Sequence, residues 1–283
     1  MKFIKALLFS FGLILSFSVA AQRTILHCGK LINGVSDQVQ TQMSVVIQGN
    51  KIVSIDKGYT RGSREDQVID LKDKTVMPGL MDMHVHIEGQ TSPTRYVESF
   101  TANEADIAYN AQVYAKATLM AGFTTVRDLG GTGVNISLRK AINAGKVVGP
   151  NIYTAGKTIA TTGGHGDPTN GWKKDLMGDP GPIEGVINSE ADARKAVRQR
   201  YKDGSDVIKI TATGGVLSMT KNGQGPQFTA SELKGIIETA EEYGFVTAAH
   251  AHGDEGMQRA VRAGINSIEH GTFMSAETMD LMV

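Results

Sequence analysis

The sequence predicts an α/β protein, a TIM-like (β/α) barrel broken off after about six strands and preceded by a smaller β-rich portion. Three observations predict it. Strand and helix patterns alternate from Leu80 to His270, the signature of a parallel sheet with crossover helices. Helical runs stop at glycines, Gly122 and Gly145, that suit C-terminal caps. Five of the seven histidines fall at predicted strand ends, where chance would scatter them.

The chain of 283 residues, 41% hydrophobic and with 33 glycines, is long enough for one large core and a smaller piece. Its formal charge is zero, so composition gives no electrostatic case for nucleic acid or an acidic membrane surface. The single cysteine, Cys28, excludes a disulfide within the chain and reads as a buried apolar residue. Residues 1–21 read as a secretory signal peptide: Lys2 and Lys5, an apolar run from Ala6 to Val19, and small residues at Ser18–Ala21. An uncleaved anchor is the rival reading, but the run is short for a bilayer. Cleavage near Ala20 or Ala21 would leave 27 basic against 29 acidic residues and place the protein in the periplasm or outside the cell.

Residues 22–76 form the β-rich portion. Met43–Gln48 and Lys51–Asp56 alternate around Gly49-Asn50, a two-residue hairpin signal, and Val68–Leu71 adds a strand. Residues 77–283 carry the barrel pattern. Its first strand follows a Pro-Gly turn in Met77–His86 and reads as buried. A helix is expected over Thr101–Ala121, a strand over Phe123–Asp128, a helix over Ile136–Ala144 and a strand over Asn151–Ala155. A long loop then runs to about Asn188. Ser189 caps a helix reaching Lys202, with Glu190 and Asp192 in its first turn. Strand Asp206–Thr211 is followed by helix Thr229–Tyr243, opened by a Thr229/Glu232 capping box. Strand Phe245–His250, helix Glu255–Ala263, strand Asn266–His270 and a helix from Ser275 complete the chain. An eightfold barrel needs two more strands, so the sequence reads as an incomplete one.

In such barrels the chemistry lies at the C-terminal strand ends. His84 and His86, two apart on a strand, point the same way and can share one cation. The fifth strand ends His250-Ala-His252, and the sixth ends Glu269-His270. Lys209, between Ile208 and Ile210, should be buried, where its charged form is costly. It is either a stem whose amine pairs with a carboxylate at the rim, or a neutral amine that takes up carbon dioxide and becomes a metal-bridging carbamate.

Pro78–His86, Val207–Ile210, Ala249–His252 and Ile268–Gly271 together resemble the amidohydrolase superfamily, in its imidazolonepropionase-related branch with metal-dependent Xaa-Pro dipeptidases (prolidases). The resemblance implies a TIM barrel carrying a composite β-sandwich and a site for two divalent ions, usually zinc. It implies that His84 and His86 bind the first metal, His250 and His270 the second, and carboxylated Lys209 bridges them. The choice of His250 over His252 rests on motif position alone. His252 would then stand close by, touching substrate. His165, in Gly163-Gly-His-Gly166, is a candidate to polarise the substrate carbonyl or hold its carboxylate; a flexible surface histidine is the bland alternative.

The family places a metal-binding, proton-shuttling aspartate at the end of an eighth strand, and this sequence contains no such strand. The expected function is hydrolysis of an amide bond, with dipeptides such as Xaa-Pro as first substrates and the 283 residues alone inactive. Opening of a cyclic amide of imidazolonepropionase type, or a non-catalytic metal-binding relative, are the alternatives. A sugar- or phosphate-acting barrel is poorly served, since neither paired catalytic carboxylates nor a phosphate-cradling loop is evident. The expected partner is a small molecule or dipeptide, with no nucleic acid and no membrane after leader cleavage, and a homo-oligomer is compatible with the sequence.

Overall fold

Gly49-Asn50 makes the hairpin expected of it. The strand β2 (Gln40–Gln48) pairs antiparallel with β3 (Lys51–Lys57), Gln48 opposite Lys51, and Gly49 takes the positive φ of +61° that the tight turn needs. β1 (Arg23–Leu31) lies on the other side of β2, and β4 (Gln67–Val76) runs parallel to β1, giving the order β3-β2-β1-β4. The register slips between Cys28 and Lys30. There Gly29 lies so close to Lys72 that a Cβ would meet its carbonyl oxygen at 2.0 Å. Cys28, Leu31, Met43 and Val45 form the core of this sheet.

This sheet belongs to one of two compact units, which part between Pro78 and Gly79. The computed structural model describes residues 22–216, 218 and 222–283, so the leader expected over residues 1–21 lies outside them. Among the described residues no helix is long and apolar enough to cross a membrane.

The second unit is the (β/α)-barrel part. Its elements, in order, are β5 (Leu80–Val85), α1 (Arg95–Thr101), α2 (Glu104–Met120), β6 (Phe123–Asp128), α3 (Val134–Asn143) and β7 (Asn151–Thr154). Then come β8 (Ala160–Thr161), α4 (Lys174–Met177), β9 (Val186–Ile187), α5 (Glu190–Asp203), β10 (Val207–Thr211) and α6 (Ala230–Glu242). β11 (Val246–Ala251), α7 (Asp254–Ala263), β12 (Ser267–His270) and α8 (Ala276–Met282) complete it. The six long-range strands are all parallel, in two ladders, β5-β6-β7 and β10-β11-β12. The ladders are joined where Asp206 N–H donates to Thr154 O at 2.8 Å and Ile159 bridges Ile210.

Caps explain where the helices begin. Ser189 accepts from Asp192 N–H ahead of α5, and Ser275 accepts from Thr278 N–H ahead of α8. At α6, Thr229 Oγ1 accepts from Glu232 N–H at 3.3 Å, and the Glu232 carboxylate accepts from Thr229 N–H at 2.8 Å. Thr229→Ala is expected to cost about 1 kcal/mol in urea denaturation. A loss below about 0.3 kcal/mol would show that tertiary packing alone holds the helix start.

The core between sheet and helices is built on Ile208, Ile210, Val197, Leu233, Ile236 and Met257, all buried. β10 is buried at every residue, as a strand covered on both faces should be.

Three expectations need correction. The strand after Pro78-Gly79 is not buried: Leu80, Met81 and Met83 are 43%, 68% and 53% exposed. β5 pairs only with β6 among the described residues, so an apolar run that suits a covered strand here lies at a sheet edge. The helix expected over Thr101–Ala121 starts later, as α2 from Glu104, because Ala102 is extended and Asn103 opens a capping box with Asp106, and α1 precedes it unforeseen. The loop expected from Asn151–Ala155 to Asn188 carries the short β8–β9 ladder and α4.

Candidate metal centre

β5 brings His84 to the strand end, and His86 follows one residue beyond it. Their ring centroids are 5.4 Å apart. His86 Nδ1 faces the Gly130 carbonyl at 2.8 Å, and a carbonyl only accepts, so the ring proton sits on Nδ1. Gly130 is at φ +145°, and a side chain there would run into Thr158 Oγ1 at 2.4 Å. His84 Nδ1 faces Glu269 Oε2 at 3.2 Å. Burial pushes the Glu269 carboxyl up, but the hydrogen bonds from His84 and Ser267 and the charge of Arg127 carry it down to about 2. It is therefore an acceptor at neutral pH, and His84 also carries its proton on Nδ1. Both rings keep a free Nε2 lone pair.

The parallel register sets the other histidines beside them. Thr211 pairs with His250, His250 with Glu269, and Ala251 with His270. His250 Nε2–H donates to Gly214 O at 3.1 Å, leaving Nδ1 free. His270 lies 4.9 Å from His84 and 4.7 Å from His250, ring centroid to centroid. Its φ of +72° is unusual for a side chain larger than glycine and costs about 1–3 kcal/mol. Gly271 follows at φ +59° and ties back, its N–H donating to Ala251 O at 3.1 Å.

His165 also joins the group. Its ring stacks on His250 at 4.2 Å, and its Nδ1 lies 2.6 Å from Ser218 Oγ. Gln227 Oε1 accepts its backbone N–H at 2.8 Å, and Gly215 N–H donates to Ser218 Oγ at 2.8 Å. The Gly-Gly-His-Gly loop is thereby laced to the segment after β10. His252 sits 4.8 Å from His250 and 4.9 Å from His270, with Nδ1 on Thr272 Oγ1 at 2.7 Å.

Six imidazoles thus form one connected cluster, and the donor atoms of His250, His252 and His270 lie within 4.8 Å of one another. His252, which the sequence set aside for substrate, is as near its neighbours as the two expected ligands. Lys209 is 3% exposed, and burial brings its amine down to about 8, against an opposing pull from Glu269. Its charge reaches His86, His165, His250 and His270. All seven residues singled out from the sequence are therefore brought together.

His250 and His270 are neutral at pH 7. Burial, first of all, lowers His86 and His165, carries His250 to about 3 and His270 to about 4. Clustered imidazoles, with Nε2 free on His84 and His86 and Nδ1 free on His250, and a buried amine whose charge reaches them, are a donor set that fits divalent metal with nitrogen preference.

Four residues behind this set, Glu269, Arg127, Asp128 and Glu88, were given no role from the sequence. Arg127 Nη2 donates to Glu269 Oε1 at 2.6 Å. Asp128, buried, accepts from Asn135 Nδ2 at 2.7 Å, Thr154 Oγ1 at 3.0 Å and Ile87 N–H at 3.3 Å, and burial pushes its carboxyl up to about 7. Glu88 accepts from the N–H groups of Thr132 and Asn135, both at 2.6 Å, at the start of α3. The available signal was charge at the end of an apolar strand: Arg127-Asp128 closes β6 just as the histidines close β5.

The amidohydrolase family model matches residues 75–283, which includes every residue of the cluster. The chain belongs to the amidohydrolase family. Members of this family generally bind divalent metals, in keeping with the donor set above. The chain is similar to the ochratoxinase of Aspergillus niger, 31% identical over 289 residues, covering 95% of this chain and 58% of that protein. It is similar to a crystal structure of a Xaa-Pro dipeptidase with methionine bound in the active site, at 52% identity and a TM-score of 0.86. That match covers 92% of this chain and 64% of the dipeptidase. A prolidase complexed with N-methylphosphonate-L-proline is 32% identical with a TM-score of 0.83, over 92% of this chain and 64% of that one. The chain spans somewhat under two thirds of the relatives it matches.

Proposed function

We propose that this chain forms the metal-binding part of a hydrolase that cleaves the amide bond of a dipeptide, with Xaa-Pro as the leading substrate. The observation that carries the reading is the meeting of six imidazoles near a buried lysine amine, five of them at or just past the C-terminal ends of β5, β11 and β12 and the sixth in the loop after β8. In this reading His84 and His86 hold one ion through Nε2, and His250 and His270 hold the second. A buried Lys209 amine lowered to about 8 has a neutral fraction whose nitrogen lone pair could add to the carbon of carbon dioxide with loss of one N–H proton to solvent, and the resulting carbamate anion would offer oxygen donors to the metal. Zinc is the proposed metal, since it favours imidazole and carries no redox chemistry.

When bound, the ions supply Lewis acidity toward water and toward the amide carbonyl. The chain itself supplies orientation. Gly130 O and Glu269 fix the tautomers of the first pair, and Gly214 O fixes that of His250. His165, held by Gln227 and Ser218, is placed to hydrogen-bond the substrate carbonyl or carboxylate, with His252 close by. The signal-peptide pattern of residues 1–21 supports an exported, periplasmic location.

A peptide substrate is favoured over others by the 52% identity to a Xaa-Pro dipeptidase, against 31% to an ochratoxinase. The test joins this chain to the remaining segment of that dipeptidase and measures metal content and hydrolysis of Xaa-Pro, Xaa-Arg and acylated amino acids. Two metal equivalents and chelator-sensitive release of proline are expected. Two bound metals with no amide cleaved across the panel would overturn the hydrolase reading.

A further inference from the structure

His84 and Glu269 are 185 residues apart and meet by a side-chain hydrogen bond. Glu269, 7% exposed, spends both oxygens: Oε2 on His84 Nδ1–H at 3.2 Å, Oε1 on Arg127 Nη2 at 2.6 Å and Ser267 Oγ–H at 2.8 Å. Arg127 goes further. Its Nη1 donates to Ser267 Oγ at 3.1 Å, and its Nε donates at 2.7 Å to the carbonyl of Met83, the residue immediately before His84. One guanidinium therefore grips both the carboxylate and the backbone of the ring it faces.

A regular strand would send neighbouring residues to opposite faces. Here Glu269 and His270 both reach His84, the first by hydrogen bond and the second at 4.9 Å ring to ring. The left-handed backbone at His270, φ +72°, is what turns the second ring back to the same side. The cost of that conformation obtains two adjacent side chains at one place.

We propose that Glu269 is a positioning residue: by accepting the Nδ1 proton of His84 it fixes the ring with its Nε2 lone pair turned to the metal, while Arg127 and Ser267 hold the carboxylate. A histidine ligand whose second nitrogen is tied to a carboxylate is both oriented and made more basic. The inference rests on the reading of His84 as a metal ligand.

Removing one member of a buried ion pair strands the other, so the test exchanges both for apolar side chains of similar size, Arg127→Met with Glu269→Leu. Arg127→Met alone, which keeps the carboxylate, is the control. Cobalt(II) is titrated into each protein and followed by its visible absorption, and histidine ring 15N shifts are recorded without metal. In the unaltered protein His84 is expected as the Nδ1–H tautomer. In the double variant cobalt binding should weaken about 10- to 100-fold, with an altered cobalt spectrum and a mixed tautomer at His84. Arg127→Met alone should keep the tautomer. A double variant that binds cobalt within twofold of the unaltered protein, or an unaltered protein with the His84 proton on Nε2, overturns the proposal. No cobalt uptake by the unaltered protein would bring down the metal-centre reading, and this inference with it.

Discussion

Lys209→Met is expected to stabilise the metal-free protein at pH 7 by about 2–3 kcal/mol and, on the role proposed for Lys209, to weaken divalent-metal binding roughly a hundredfold or more. The two effects have one cause. Burial lowers the Lys209 amine from its ordinary range to about 8, so the folded state binds its proton less readily than the unfolded chain. Between about pH 8 and the ordinary lysine value, the unfolded chain holds more protons, and stability rises with pH through that window. At pH 7 the whole cost of the buried charge is present. Methionine has a similar reach and no charge, so the variant's advantage is full below pH 8 and fades toward pH 10.5. Urea denaturation of chelator-treated proteins at pH 7 and pH 10, read as the difference between variant and parent, checks it. An advantage independent of pH would mean that the amine is solvated after all.

The second large effect is expected at Arg127, whose removal alone should cost about 3–5 kcal/mol. Its side chain and that of Glu269 are 17% and 8% exposed, so solvent screens the pair little. Arg127→Met leaves the Glu269 carboxylate buried with only His84 and Ser267 to face, and it frees the Met83 carbonyl. Adding Glu269→Leu should recover part of the loss, because two apolar groups replace two charges. Urea denaturation of the single and double variants in the absence of metal measures both. Arg127→Met within 1 kcal/mol of the parent would show that the guanidinium is not needed to hold β5, β6 and β12 together.

The ends of the elements and the identity of the clustered residues were legible in the sequence for local reasons. Gly49-Asn50, Ser189, Thr229 with Glu232, and Ser275 each act within four residues, so their turn and caps follow from neighbours alone. The histidines were legible because strand ends of a parallel barrel share one rim. What escaped was set by contacts distant in sequence. Arg127 and Glu269 are 142 residues apart and each looked like an ordinary strand charge. The exposure of Met81 and Met83 depends on which strands pair, which no periodicity records. The meeting of Glu269 and His270 at one ring also escaped, because His270 and Gly271 leave strand geometry, a turn that alternation alone would not reveal.

His84 and His86 are held by different kinds of partner, one by a carboxylate and the other by a peptide carbonyl at Gly130. The backbone acceptor cannot be exchanged by substitution, and Gly130 itself has no room for a side chain. The electron-donating strength of one imidazole is consequently fixed by the fold, while that of its neighbour is open to adjustment by a single codon. Any retuning of this centre toward a softer or harder ion would be sought first on the His84 side.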